Sequence, residues 1–205
     1  MRGAFFERAL AAAREEGDRM ACLRFEGQTA EGLDFSDITC RETVFQGVRF
    51  AGCDFDTAAF YGCAFSQCAF TDCRLPRSFW KDCRLDGCKA DGADFRKSRF
   101  RDCRCTGALL RYGNFSAALW ERCALTDCDF TESSLQEAVF KKTVLEKINF
   151  TGAELFRAGL KDLDLSRCIL DRVVLSASCQ ELRGAKINTQ QAAVVARILG
   201  IEVVP

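Results

Sequence analysis

The sequence of 205 residues contains no histidine and only two prolines. Histidine is the commonest general base, a frequent zinc ligand and the usual partner of a serine or cysteine nucleophile. A phosphate-binding loop of the form G-x-x-x-x-G-K-[ST] is also missing. We therefore predict that the protein is not an enzyme, and we predict no catalytic, cofactor-binding or metal-binding residues.

The chain also lacks an excess of charge and a long apolar run. Its 29 Lys and Arg residues balance 29 Asp and Glu residues. No stretch approaches the roughly 18–20 apolar residues of a membrane span, and acidic residues interrupt the N-terminus where a signal peptide is apolar. Because 48% of the residues are hydrophobic, the chain can bury a large core. We expect one cytoplasmic domain that makes no membrane contact.

A period of five dominates the sequence. Between Phe25 and Leu175, the positions whose numbers are multiples of five carry Phe, Leu or Trp, with Ala30, Cys40, Ala90 and Cys105 as the exceptions. Two positions earlier in each unit the side chain is small or modest, usually Cys, Ala or Ser. Neither an α-helix nor a β-strand has this period. The pattern indicates a chain that turns a corner once per unit and points two of its five side chains inward.

Four such units would form one square coil of about 20 residues, stacked on the next coil at the parallel-strand spacing of about 4.8 Å. Equivalent positions in successive coils should then form ladders. One predicted ladder consists of Phe60, Trp80, Phe100, Trp120, Phe140 and Leu160. A second consists of Phe35, Phe55, Leu75, Phe95, Phe115, Leu135, Leu155 and Leu175.

Units such as 93–97 (ADFRK), 128–132 (CDFTE) and 153–157 (AELFR) resemble the A-(D/N)-(L/F)-x-x motif of the pentapeptide repeat family. The resemblance covers about three quarters of the chain. It implies an all-β fold, a right-handed quadrilateral parallel β-helix, to which we add short terminal capping helices. The register is unbroken from Phe25 to Leu175, so no inserted loops are expected.

Both ends of a solenoid need a cap. Residues 4–16 favour a capping helix, because Phe5, Phe6, Ala9, Leu10 and Ala13 follow helical spacing. An irregular first coil that continues the five-residue register is the alternative. We divide the chain into an N-terminal cap (1–20), a repeat β-helix of about eight coils (21–180) and a C-terminal capping or dimerisation helix with its tail (181–205).

At the C-terminal end the frame slips by two positions, to Leu182 and Ile187, and a short helix follows Asn188 and Thr189. The helix is apolar nearly all round, so the tail either folds back on the last coil or joins two chains in a two-fold dimer. The segment from 182 to 203 also resembles the tail of topoisomerase-protecting family members, in which the tail makes the dimer. The predicted dimerisation residues are Val194, Val195, Ile198, Leu199, Ile201 and Val203.

Most of the fourteen cysteines follow the repeat. Ten occupy the small inward position, and Cys40 and Cys105 occupy the large one. This placement favours cysteine as a small hydrophobic residue over a zinc site or a disulfide framework. Cys22 and Cys179, near the two ends, are the candidates for exposed thiols.

Charge on the outward positions is uneven. From Glu26 to Cys73 there are eight acids and two bases, and from Arg74 to Arg111 there are eleven bases and five acids. Some outward residues are apolar, and Phe79, Leu119 and Val139 share one column with Arg99 between them. We predict partner-binding residues in the acidic part and in this column. They are Asp34, Asp37, Asp54, Asp56, Phe79 and Leu119.

Two functions remain open. The resemblance implies a DNA-mimic-like rod that binds DNA gyrase or topoisomerase IV and protects it from a quinolone or a peptide toxin, that is, a role in antibiotic resistance. Negative charge at phosphate-like spacing would suit a DNA-binding groove. Because the net charge is zero and the middle segment is basic, such binding would have to rely on one particular face and not on the overall field of the protein. The alternative is a rigid protein-interaction scaffold. Direct nucleic-acid binding is not predicted, because acids alternate with the bases of the middle segment.

Overall fold

The computed structural model describes residues 4–204, which form a four-sided parallel β-solenoid closed by a helix at each end. Helix α1 (Ala4–Glu15) precedes seventeen strands, each spanning three positions, and a 3₁₀ turn (Gln180–Leu182) and helix α2 (Thr189–Ile198) follow them. The predicted fold class is thereby confirmed. Within residues 4–204, neither helix is long and apolar enough to cross a membrane.

Three sides of the solenoid are parallel sheets. Sheet A contains β1 (Arg19–Ala21), β4 (Thr39–Arg41), β7 (Ala59–Tyr61), β10 (Phe79–Lys81), β12 (Arg99–Arg101), β14 (Leu119–Glu121) and β16 (Val139–Lys141). Sheet B contains β2 (Arg24–Glu26), β5 (Val44–Gln46), β8 (Ala64–Ser66), β11 (Arg84–Asp86), β13 (Arg104–Thr106), β15 (Ala124–Thr126) and β17 (Val144–Glu146). Sheet C contains β3 (Thr29–Glu31), β6 (Arg49–Ala51) and β9 (Ala69–Thr71).

The fourth side, which we name side D, comprises residues 34–37 and their equivalents in the following coils. Turns and single bridges replace strands here, as in the pairs Asp34 with Asp54 and Asp54 with Arg74. Paired residues of neighbouring strands are 20 positions apart in the sequence, for example Arg19 and Thr39 in sheet A and Arg24 and Val44 in sheet B. This offset holds as far as the bridge between Glu154 and Val174. The coil of four units predicted from the sequence is therefore present.

The corners are made by residues in the left-handed backbone conformation. Every fifth residue from Gly27 to Asp162 has a positive φ, and most of these residues are not glycine. A left-handed residue redirects the chain without a long loop, and it costs a non-glycine residue about 1–2 kcal/mol. The square cross-section therefore comes from one backbone conformation that recurs once in every unit.

The interior consists of stacked aromatic and aliphatic ladders, as predicted. Trp80 lies between Phe60 and Phe100, with ring centroids 4.2 and 5.8 Å apart, and Phe100 stacks on Trp120 at 3.8 Å. Phe95 stacks on Phe115 at 5.0 Å in the second ladder. These side chains are buried. Each ring covers the ring of the next coil, so burial of apolar surface holds the coils together.

The N-terminal cap continues this stacking. Phe6 of α1 lies on Phe25 with ring centroids 4.1 Å apart and nearly parallel planes, so the helix supplies one more rung. Leu10 and Ala13 are buried with it, whereas Phe5 is exposed. The predicted helix over 4–16 is confirmed. The first strand begins at Arg19, and Met20 in this strand is the first inward-pointing residue of the solenoid.

The C-terminal cap uses the predicted slip of two positions. Asp164 bridges to Lys186, two positions beyond the regular partner, and β17 is the last strand of sheet B. Helix α2 is fixed by Gln191, whose amide donates to the carbonyl oxygens of Leu165 and Cys168 at 2.7 and 2.6 Å. Asn188 and Gln191 form a reciprocal capping box.

The division into parts 1–20, 21–180 and 181–205 stays a prediction, and residues 1–3 and 205 lie outside the described residues.

Glu181 closes the turn that leads to α2. Its buried carboxylate accepts hydrogen bonds from the backbone N–H of Arg157 at 2.9 Å and from the N–H and hydroxyl of Ser176 at 3.2 and 2.8 Å. Burial alone would raise the pKa of Glu181, but these hydrogen bonds outweigh it, so the pKa lies below the ordinary glutamate value.

The ladder predicts that removing an inward aromatic side chain lowers the free energy of unfolding much more than removing an outward one. Phe100→Ala, in the buried stack, is expected to lower the free energy of unfolding by about 3–5 kcal/mol because it leaves a cavity. Phe79→Ala, on the outer side of β10, should cost less than about 1 kcal/mol. Urea unfolding followed by circular dichroism measures both, and equal losses would contradict the inward and outward assignment.

Glu181→Gln is expected to destabilise the C-terminal cap at pH 7 by about 1–3 kcal/mol, because an amide cannot replace all the acceptors of the carboxylate. A carboxyl group with a lowered pKa stabilises the fold above its unfolded pKa of about 4.3, and this contribution is lost as the pH falls through the folded value. The difference between wild type and variant should therefore shrink below about pH 4. Thermal unfolding from pH 3 to pH 8 checks this, and a difference independent of pH would contradict it.

Candidate interaction surfaces

The four predicted acidic residues lie together on side D. Asp34 and Asp37 belong to one coil, and Asp54 and Asp56 belong to the next. Side-chain exposure is 69% for Asp34 but only 21% for Asp56. The structure therefore brings these four acids to one surface near the N-terminal end of the solenoid.

Two of these acids also shape the backbone. Oδ1 of Asp34 accepts the backbone N–H of Ser36 at 2.8 Å, and Oδ1 of Asp54 accepts that of Asp56 at 3.0 Å. Asn114 accepts a backbone N–H two positions later in the same way. The hydrogen bonds from Ser36 hold the pKa of Asp34 below its ordinary value, and Arg14 adds a smaller lowering. A carboxylate at this position is thus first a turn residue.

Arginine side chains lie beside three of the four acids. Arg74 Nη1 is 3.2 Å from Asp54 Oδ2, Arg14 Nη2 is 3.9 Å from Asp34 Oδ1, and Arg77 binds Asp56. Asp37 accepts the hydroxyl of Thr57 at 2.6 Å. The boundary between the acidic and basic segments of the sequence falls between adjacent coils. Stacking therefore sets Arg74 and Arg77 against acids, and the negative field of this surface is smaller than the acidic segment alone suggests.

Phe79 and Leu119 lie on a different side of the solenoid. Both are on sheet A, where Arg99 pairs in register with Phe79 on one side and with Leu119 on the other, and Leu119 pairs with Val139. The predicted column is therefore present. The corner that contains Arg77 and Lys97 separates it from the acids of side D. The six predicted partner-binding residues form two adjacent surfaces.

The cysteines follow the packing pattern. Cys63 donates its thiol to the backbone oxygen of Cys40 at 3.5 Å, and Cys103 donates to that of Trp80 at 3.4 Å, in the coil below. Ser98 and Thr143 make the same contact, to Leu75 at 2.7 Å and to Trp120 at 3.0 Å. A small side chain with one donor suits this position, and either a thiol or a hydroxyl serves.

All fourteen cysteines are free thiols, and only Cys22 is exposed. The expectation that Cys179 is exposed is wrong, because the 3₁₀ turn that follows it closes over the last coil. Burial raises the pKa of the Cys40, Cys168 and Cys179 thiols, so they stay protonated at neutral pH. Within residues 4–204, no group of three or more His, Cys, Asp or Glu residues is placed to hold a metal ion.

Five of the six predicted dimerisation residues divide into two groups, and the sixth, Val194, is half-buried in α2. Val195 and Ile198 pack against the core of the last coil. Leu199, Ile201 and Val203 are exposed, and so is Val204, at 72%. The first pair covers the end of the solenoid, and the second group forms an exposed apolar surface on the tail. Sequence periodicity alone did not distinguish these two groups.

A solenoid of five-residue units with its variable side chains outside defines a repeat protein. Two family models match the chain, "Pentapeptide repeat region" at residues 76–150 and "Pentapeptide repeats (8 copies)" at residues 34–72 and 133–172. Together they cover about two thirds of the sequence. The chain belongs to the pentapeptide repeat family. No curated protein matches it.

Several solved structures resemble the chain. One is a trypsin-treated variant of QnrB1, a plasmid-mediated fluoroquinolone resistance protein, at 25% identity and a TM-score of 0.48, covering 91% of this chain and 97% of QnrB1. Another is HetL, a pentapeptide repeat protein involved in heterocyst differentiation regulation in the cyanobacterium Nostoc sp. strain PCC 7120. It has 12% identity and a TM-score of 0.34, and the match covers 91% of this chain and 94% of HetL.

Proposed function

We propose that this protein is a non-catalytic rod that binds a type II topoisomerase, DNA gyrase or topoisomerase IV, and protects it from an inhibitor such as a quinolone or a peptide toxin. The observation that carries the proposal is the placement of Asp34, Asp37, Asp54 and Asp56 on one side, in two successive coils. The resemblance of the repeat and the 182–203 tail to topoisomerase-protecting family members supports the same partner.

The ion pairs of side D decide how such binding would work. Because Arg14, Arg74 and Arg77 lie beside the acids, the long-range attraction to a basic groove is weak. Exposed ion pairs contribute little to stability and exchange partners readily. Basic residues of a groove would therefore replace Arg14 and Arg74 as the partners of Asp34 and Asp54 once the two surfaces are in contact. Binding would rely on these local contacts more than on the overall field.

We also propose that two chains join through the tail in a two-fold dimer. Leu199, Ile201 and Val203 are exposed although they are apolar, and isologous contact between two copies is the usual way to bury such a surface. Val195 and Ile198, which the last coil already covers, would lie beneath this interface.

A supercoiling assay with purified gyrase and a quinolone tests the partner. Wild-type protein is expected to restore supercoiling and to reduce the cleaved complex. Asp34→Asn/Asp54→Asn removes two charges and keeps the oxygen that caps each turn, as Asn114 does. We expect this variant to need about tenfold more protein for the same protection, since close charge pairs at an interface contribute on the order of 1 kcal/mol or more.

The matched control is Asp129→Asn/Asp164→Asn, since these residues cap the turns at Thr131 and Ser166 in the same way. This control should protect like wild type. Absence of protection by wild type with both gyrase and topoisomerase IV would overturn the proposed partner. Equal losses in the two double variants would show that side D is not the binding surface.

Multi-angle light scattering tests the dimer. Wild type is expected at twice the 22.8 kDa of the chain, and Ile201→Asp/Val203→Asp is expected at the monomer mass because a dimer would bury the new charges. Val144→Asp, at a position 61% exposed in β17, is the control and should stay dimeric. A monomeric wild type at about 50–100 µM, the range in which weak dimers form, would contradict the proposal.

A further inference from the structure

Sheet A carries most of the unbalanced positive charge. Its strands contain six cations and one acid, namely Arg19, Arg41, Lys81, Arg99, Arg101, Lys141 and Glu121. The strands of sheet B contain three cations and three acids. The strands of sheet A therefore carry a net positive charge that the strands of sheet B do not, although only Lys81, Arg99 and Arg101 of the eleven bases from Arg74 to Arg111 lie on them.

These cations are poorly paired within the chain. Lys81 is 3.8 Å from Asp82, Arg101 is 3.6 Å from Asp102, and Lys141 is 3.9 Å from Glu121. Within residues 4–204, Arg99 has no acidic partner within the 4.0 Å of an ion pair. By contrast, Arg96 on side D binds Asp94 at 2.8 Å. Arg99 is therefore available to an acid from another molecule, whereas Lys81, Arg101 and Lys141 are held by long ion pairs with exposed side chains, which an incoming acid could replace.

An apolar seam runs between these cations along the outer surface of sheet A. Its members are Ala59, Phe79, Leu119 and Val139, in register from coil to coil with Arg99 among them. Tyr61 packs beside Phe79 with ring centroids 5.5 Å apart, and the guanidinium of Arg41 lies 4.4 Å from the centre of the Tyr61 ring. Aromatic residues with arginine are the composition of interface hot spots.

We propose that sheet A binds an acidic amphipathic helix of a partner protein. Apolar side chains of the helix would lie on the seam, and acidic side chains on its flanks would pair with Arg99 and Arg101 and with Lys81. The seam from Ala59 to Val139 crosses four coil steps, about 19 Å. A helix of about 13 residues has this length, and its pitch of about 5.4 Å nearly matches the coil spacing, so successive turns would meet successive coils.

Charge and apolarity together favour such a helix over a nucleic acid. A phosphate backbone would meet the cations, but it would also cover Phe79, Leu119 and Val139 and would face Glu121 in the middle of the sheet. Apolar residues at the centre with charge around them suit a partner that has the same arrangement with acids. This inference is independent of the proposed topoisomerase, which would be bound by side D.

The test uses a fluorescein-labelled 14-residue peptide with Leu at i, i+3, i+4 and i+7 and Glu and Ala elsewhere. A scrambled peptide of the same composition and a 20-base-pair DNA duplex are the comparison probes. Fluorescence anisotropy at low salt is expected to give a Kd on the order of 10 µM for the patterned peptide, at least about fivefold weaker binding for the scrambled one, and weaker binding of both with added salt.

Phe79→Ala/Arg99→Ala is expected to weaken binding of the patterned peptide by about tenfold or more. Arg104→Ala/Val144→Ala on sheet B, which also removes one cation and one exposed apolar side chain, should leave it unchanged. Both variants should melt within a few degrees of wild type, since all four side chains point outward. Phe79→Leu/Arg99→Lys is a milder second variant, because it keeps an apolar side chain and a positive charge at these positions. It is expected to bind with an intermediate Kd.

Four results would each overturn the inference. They are no binding of the patterned peptide at about 100 µM, equal binding of the scrambled peptide, an equal loss in the sheet B variant, and tighter binding of the duplex with the same dependence on Phe79 and Arg99. Failure of the gyrase assay has no bearing on this outcome, because the probe contains no topoisomerase.

Discussion

Stacking of one four-unit coil directly on the next is the constraint on which this structure depends. It places equivalent residues on one another: Trp80 lies between two phenylalanines, cysteine thiols lie above equivalent carbonyl oxygens of the coil below, and a left-handed residue stands at every corner from Gly27 to Asp162. Each inward side chain packs against the coils above and below it as well as against the neighbouring units of its own coil. The two open ends therefore need Phe6 and Gln191, which offer the terminal coils a ring and an amide in place of a further coil.

The same constraint determines the surface. Outward residues at equivalent positions of successive coils become neighbours, so charge that is separate in the sequence is paired in space. Asp54 meets Arg74, which weakens the acidic side, whereas Arg99 meets Phe79 and Leu119, which leaves its charge unpaired. A chain with zero net charge thus presents sides of different character, and its recognition properties belong to sides and not to the whole molecule.

Much of the fold could be predicted because every five-residue unit repeats the same evidence of burial. The ladders follow from that periodicity, and the slip to Leu182 and Ile187 is visible as its break. The two terminal helices follow from helical spacing at the N-terminal end and from the capping residues Asn188 and Thr189 at the other. The candidate surfaces were harder. Asp34 and Asp54 are predicted as partner-binding acids, but in the structure each also caps a turn, in an Asp-x-Ser and an Asp-x-Asp sequence, and the charge pattern does not indicate this role. The burial of Cys179 and the separation of Val195 from Ile201 depend on how the tail folds, for which a single helix offers no repeated signal.

The coil length also fixes what insertions and deletions do to this molecule. Adding four units lengthens the solenoid by one coil and returns every following side chain to its own side, so sheet A and side D keep their identities. Adding a single unit keeps the inward positions inward but turns everything that follows by a quarter of a revolution. The seam on sheet A would then be cut and continued on a neighbouring side. Both changes preserve the five-residue period of the interior, and the alignment of the outer surface distinguishes them.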